Sequence, residues 1–132
     1  MTEIVATPEN VQNVGSLAAP VPAKVLMSQL DGPAAEPWEG ALVQISNVQV
    51  VDPNPIATDG KTHGEATISH NGGAVSIALA PAYGSAFLAP SSGGTTTLFS
   101  ANQPFVSVTG NLQWSFGHWV LRARSDADLV LK

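Results

Sequence analysis

A chain of 132 residues that is 44% hydrophobic and only 11% charged, with twelve glycines, ten prolines and 6% aromatic residues, suits one small domain of short strands and turns. Ten acidic against five basic side chains leave a formal charge of -5, which repels a phosphate backbone and argues against nucleic acid as a partner. The lack of cysteine removes disulfides, thiolate metal sites and a cysteine nucleophile, and no apolar run reaches the ~18 residues of a membrane span, so no membrane insertion is expected.

Residues 1–35 carry Pro8, Pro20, Pro22 and Pro33 among small residues and read as an extended proline-rich N-terminal arm or linker. Within it, 3–6 and 23–27 have the composition of short strands, and 26–30 that of a helical turn ended by Gly32-Pro33. Met1-Thr-Glu-Ile has no basic segment leading into an apolar one, so no export signal is expected in the chain.

Residues 36–132 read as the folded domain. In 42–51, Val43 and Ile45 share one face while Val48 and Val50 have the opposite phase, so a β-bulge near Ser46-Asn47 is expected to bend this strand sharply. The segment 52–60 is a Pro/Asn/Gly loop, and strands over 65–69 and 74–79 flank a hairpin signal at His70-Asn71-Gly72-Gly73. Residues 81–94 read as an irregular excursion with a short helix near 82–88, and 95–100 as one more strand.

The final pair is the best specified. Val106, Val108, Gly110, Leu112, Trp114 and Phe116 alternate strictly, Gly117-His118 interrupts, and Trp119, Leu121 and Ala123 resume, as in two antiparallel strands joined by a tight turn. Five or six strands, one of them strongly bent, predict an all-β fold: a small OB-like β-barrel, with a β-sandwich as the alternative.

Trp38, Trp114 and Trp119 are candidate stacking surfaces for bases or sugars. The phase of Trp114 assigns it to the core, where Trp114→Ala would cost roughly 3–5 kcal/mol. Trp38, beside Pro37, and Trp119 remain as ligand-binding candidates. Arg122 and Arg124 are candidates for an anion, although Glu36, Glu39, Asp126 and Asp128 are available as partners, and a structural pair of Arg124 with Asp128 or Glu39 is the expected use. His63, Glu65 and His70 have the chemistry of zinc ligands but lack a fourth, and Asp52, Asn54 and Asp59 that of weak calcium ligands but match no calcium-loop spacing. Exposed loop histidines and plain turn chemistry are the ordinary uses, so no metal or cofactor is expected. No serine lies in a Gly-x-Ser-x-Gly elbow, and no enzyme activity is expected.

Two motifs carry a resemblance. The first is Glu36-Pro37-Trp38-Glu39-Gly40-Ala41-Leu42-Val43, followed by Asn47-Val48-Gln49-Val50. The second is Val108-Thr109-Gly110-Asn111-Leu112-Gln113-Trp114-Ser115-Phe116-Gly117, followed by Leu121-Arg122-Ala123-Arg124-Ser125-Asp126-Ala127-Asp128-Leu129. In this order they resemble an OB-fold-like accessory module of secreted bacterial multidomain proteins, including extracellular nucleases of the endonuclease/exonuclease/phosphatase class and surface lipoproteins. Ala123 stands where that module has a proline, and 79–103 does not follow its pattern. The resemblance implies a piece of a longer exported protein, extracellular or at the cell surface, with metal-dependent chemistry confined to a separate domain.

The leading expectation is therefore a non-catalytic structural or protein-interaction module, whose partners are neighbouring domains or copies of itself. The rival is an OB-type ligand-binding module for an oligosaccharide or single-stranded nucleic acid, which requires exposed aromatic residues on the strand face.

Overall fold

The computed structural model describes residues 15, 18–70, 73–89 and 95–132; the expected strand over 3–6 and the turn residues Asn71 and Gly72 lie outside the described residues. Seven strands are seen among the described residues: β1 (Ala23–Lys24), β2 (Leu42–Asp52), β3 (Ala66–His70), β4 (Ser76–Ala80), β5 (Pro104–Ser115), β6 (His118–Arg122) and β7 (Leu129–Leu131). β2 pairs with β3, β3 with β4, β4 with β6, β6 with β5, and β5 again with β2. That circuit closes a five-stranded barrel with the strand order of an OB fold, and closure excludes the open sandwich. Only β4 and β6 run parallel within it, and β1 and β7 add short edges beside β2 and β5.

β2 and β5 are the longest strands and share the most extensive pairing, from Leu42 opposite Asn111 to Gln49 opposite Pro104. The change of phase expected near Ser46-Asn47 is present: Val43, Ile45, Val48 and Val50 are all buried, and Asn47 between the pairs has φ 54°. Asparagine tolerates this left-handed conformation better than most residues because its short polar side chain suits it. β5 changes phase at the same level, with Phe105 and Val108 buried but Val106, expected inward, turned out. Because both strands bend together, their mutual register does not slip. The extra residues instead face the outer neighbours, Val51 against β3 and Val106 against β7.

Phe105 is fully buried and meets the edge of Phe99 at 5.6 Å, and Phe99 stacks on Phe87 at 5.0 Å between ring centroids. The segment 81–89 does not form the expected helix, and 95–100 does not form the expected strand; one bridge joins Leu88 to Thr97. The reason is side-chain tethering. Asp126 accepts from the Ser85 hydroxyl and the Ala86 amide, while Asn54 exchanges hydrogen bonds with the Thr97 backbone at 2.6 and 3.1 Å. These contacts lay Phe87, Leu88 and Phe99 against the barrel in an irregular path.

The described part of residues 1–35 belongs to the same packing. The strand expected over 23–27 is confined to Ala23–Lys24, and Val25, Met27, Leu30 and Ala35 enter the core. A 3-10 turn over Met27–Leu30 is followed at once by a second over Gly32–Trp38, with Pro33 at its start. Proline lacks an amide hydrogen that the first turn would leave unused, so Gly32-Pro33 opens a turn rather than merely ending one.

Gly110 lies close against the end of β6: a Cβ there would stand 2.5 Å from the carbonyl oxygen of Arg122. Gly110→Ala is expected to cost about 1–3 kcal/mol through backbone displacement, and Phe105→Ala about 3–5 kcal/mol through cavity formation. Urea melts of the two variants check both values, and a wild-type midpoint for either would contradict the packing described.

Candidate ligand-binding groove

The inward face of the β5–β6 hairpin continues beyond the barrel. Leu112 and Leu121 are opposite each other and fully buried; the next inward pair is Trp114 and Trp119. β2 begins at Leu42, and the last backbone bonds from its side to β5 join Gly40 and Ala41 to Leu112. Past that point β5 has no β2 beside it. Trp114 is therefore 53% exposed, not the core residue that its phase predicts, and a structural role as a buried anchor is corrected. Its ring meets Trp119 edge to face, with centroids 5.0 Å apart and planes at 70°. The Trp119 Nε1–H donates to the Gly32 carbonyl at 3.0 Å, which fixes this indole against the second 3-10 turn.

Ser115 pairs with His118, so the turn holds two residues, Phe116 and Gly117 rather than Gly117 and His118. Both have positive φ, 48° and 88°, as a two-residue turn that matches strand twist demands. Glycine adopts this freely, but a bulky phenylalanine there is strained. Phe116 is nonetheless 97% exposed, so the strain secures no burial.

The loop between β2 and β3 faces this hairpin. The Phe116 ring stacks over His63 at 6.4 Å, His63 Nε2 lies 3.1 Å from Asp59, and His118 Nε2 lies 2.9 Å from Glu65. The Asp59 carboxyl is held below its ordinary range chiefly by the Lys61 amide; loss of hydration opposes this, and His63 adds a lesser lowering. Loop and hairpin together bound a groove of about 720 Å³ that reaches Leu30, Ile77 and the exposed Ile56. Apolar walls with a few polar groups are the usual make-up of a small-ligand site. In an OB barrel, the loops after the first strand and between the last two flank the ligand face.

The other candidates separate from this groove. Trp38 is half-buried against the core and does not line it. Arg122 stands on the outer face, where Gln113, with its amide oxygen turned toward it, accepts from Nε and Nη2 at 3.1 Å each. Arg124 donates to both oxygens of Asp128, Nε at 3.0 Å and Nη2 at 2.7 Å, and its own amide donates to the same carboxylate. Asp128 is buried and takes Arg124 on a single turn, while Glu39 is exposed outside the pair. Arg124 is thus a structural clamp rather than an anion receptor.

The expected metal ligands do not converge. Strand β3 begins only at Ala66, so His63 and Glu65 do not share a strand face: His63 pairs with Asp59 within its own loop, Glu65 pairs with His118 across the groove, and His70 lies at the far end of β3. No three histidine or acidic side chains among the described residues are placed to hold a metal ion. Asp52 and Asp59 instead accept the amides of Asn54 and Lys61 two residues on, which is plain turn chemistry.

No protein-family model, curated protein or solved structure matches the chain. The resemblance to secreted bacterial modules rests on its two motifs alone. Sequence reasoning reached Trp114 and Trp119 but did not single out Phe116, His118, Ile56 or Asp31 as lining residues. A turn placed one residue earlier, at Phe116-Gly117, would have revealed an aromatic side chain at the hairpin tip.

Hydrogen bonds from Arg124 hold the Asp128 carboxyl below its ordinary range, and those from Ser85 and Ala86 do so for Asp126. A lowered native value means stability that is full above the ordinary aspartate range and is lost as pH falls through the lowered value. Asp128→Asn is expected to lower the melting midpoint at neutral pH and to flatten the acid side of the stability profile; an unchanged acid limb would count against the clamp. Trp114→Ala should cost about 1 kcal/mol, the worth of its edge-to-face contact, so a loss as large as that of a core leucine would restore it to the interior.

Proposed function

We propose that this domain is a non-catalytic binding module that receives an oligosaccharide in the barrel-mouth groove. The observation that carries the proposal is the exposure of Trp114 and Phe116 beside Trp119, which hydrogen bonding holds in place. Exposed, oriented rings suit the apolar C–H faces of sugars, because flat aromatic surfaces bind with little loss of rotamer freedom. None of the chain's five lysine and arginine side chains lines the groove, whereas Asp31, Asp59 and Glu65 do. Single-stranded nucleic acid needs a positive track beside its stacking residues, so the charge favours a sugar. The two motifs support a place within a larger exported bacterial protein, where such a module would tether neighbouring domains to a glycan.

A second reading, a structural module that packs on a neighbouring domain or a second copy, is favoured by Val106, Val130 and Leu131. These side chains are 44–46% exposed along the β5–β7 edge. Light scattering over a range of concentrations distinguishes it, because self-packing raises the mass and glycan binding does not.

Tryptophan fluorescence titrated with neutral oligosaccharides, N-acetylglucosamine and glucose oligomers among them, tests the binding reading. A saturable change is expected with at least one of them, weakened about tenfold or more in Trp114→Ala and in Phe116→Ala, since stacking on one aromatic ring is worth roughly 1–3 kcal/mol. Unaltered affinity in both variants, or a response only to oligonucleotides, would overturn it.

A further inference from the structure

We infer that the groove prefers oligosaccharides bearing protonated amines, such as glucosamine units, to neutral or acidic ones. The inference rests on the reading of the groove as an oligosaccharide site and names the chemistry it selects.

The charges that face the groove are the carboxylates Asp31, Asp59 and Glu65 and the imidazoles His63 and His118. Asp59 and Glu65 each have one imidazole partner. Asp31 differs: it precedes the second 3-10 turn without capping it by its side chain, and it adjoins Gly32, whose carbonyl holds the Trp119 indole. An exposed carboxylate thus stands beside the Trp114–Trp119 pair. The groove is lined by three carboxylates and by no lysine or arginine. A cation is therefore the complement that the site lacks.

Two perpendicular indoles reinforce the choice. The face of an indole is electron-rich, and an ammonium group over it is attracted by the ring quadrupole, more strongly as water is excluded. Trp114 and Trp119 stand at 70° to each other, so a group lodged in their angle is bordered by a face of each ring. A sugar ring stacked on Phe116 or Trp114 would bring an amino substituent toward Asp31 and Glu65, where a carboxylate and a π face act on the same charge. A phosphate or a uronic acid in that position would meet only repulsion.

The test compares glucosamine and N-acetylglucosamine oligomers of equal length, titrated into the full chain at a mildly acidic pH that keeps the glucosamine amines protonated, and followed by tryptophan fluorescence and calorimetry. The glucosamine oligomer is expected to bind about tenfold more tightly, the worth of one desolvated cation–π contact, and the preference should shrink in high salt. In Asp31→Asn the ratio of the two affinities is expected to fall clearly below the wild-type ratio, the indole contribution remaining; this exposed side chain can be replaced without touching the core, and a urea melt verifies folding. Equal or weaker binding of the glucosamine oligomer overturns the amine preference and leaves the groove as a neutral-sugar site. Failure of both oligomers, with no other neutral oligosaccharide binding, removes the sugar reading itself. Oligolysine binding as tightly as the glucosamine oligomer would show that charge alone is recognised, and would also overturn the inference.

Discussion

The pairing of β2 with β5 is the constraint on which the rest of the domain depends. Two long strands hold one register through a shared change of phase, so that Val43, Ile45, Val48 and Val50 from one and Phe105, Val108 and Leu112 from the other all reach the interior. A straight strand would turn one of these pairs out to solvent, since side chains alternate faces with a period of two. Asn47, by accepting a left-handed conformation, allows the bend. β5 follows it, and each of the two strands then has two neighbours within the barrel circuit, as closure requires, besides the short edge strand that it carries.

From the same pairing comes the groove. β5 outruns β2, and beyond Leu112 only β6 accompanies it. The side chains that continue the inward face therefore leave the core and become a rim. Apolar alternation does not stop at the barrel mouth, and this is why aromatic residues patterned like core residues stand in solvent. The loop before β3 meets the rim through Glu65, which takes the His118 imidazole, and through His63, whose ring stacks with Phe116, so the two walls are held at a defined separation without being packed against each other.

The sequence made the barrel legible because its signals were local: alternation in β2 and β5, the opposed phases of Val43-Ile45 and Val48-Val50, and turn residues between strands. It failed where a side chain's fate depended on something distant. Trp114 has the phase of Leu112, and only the starting point of β2, some seventy residues earlier, decides that one is exposed and the other buried. The segment 82–88 has helix-compatible composition, yet Asp126 and the packing of Phe87 draw it into another path. Val25, Met27 and Leu30 sit among prolines that suggest an arm, but their burial comes from docking on β2 and the barrel end. Arg124 and Asp128 were legible as a pair because one short turn brings them together.

Phe116 occupies a strained turn that gives it no shelter, at a point where the core has already ended. Residues that fold the domain and residues that meet its surroundings are thus different residues. Change at the tip is decoupled from the hydrophobic interior, so substitutions at 114 and 116 leave the barrel as it is. The hairpin is in this sense an evolvable appendage on a fixed frame, and the same separation makes it a natural place to graft a new recognition loop.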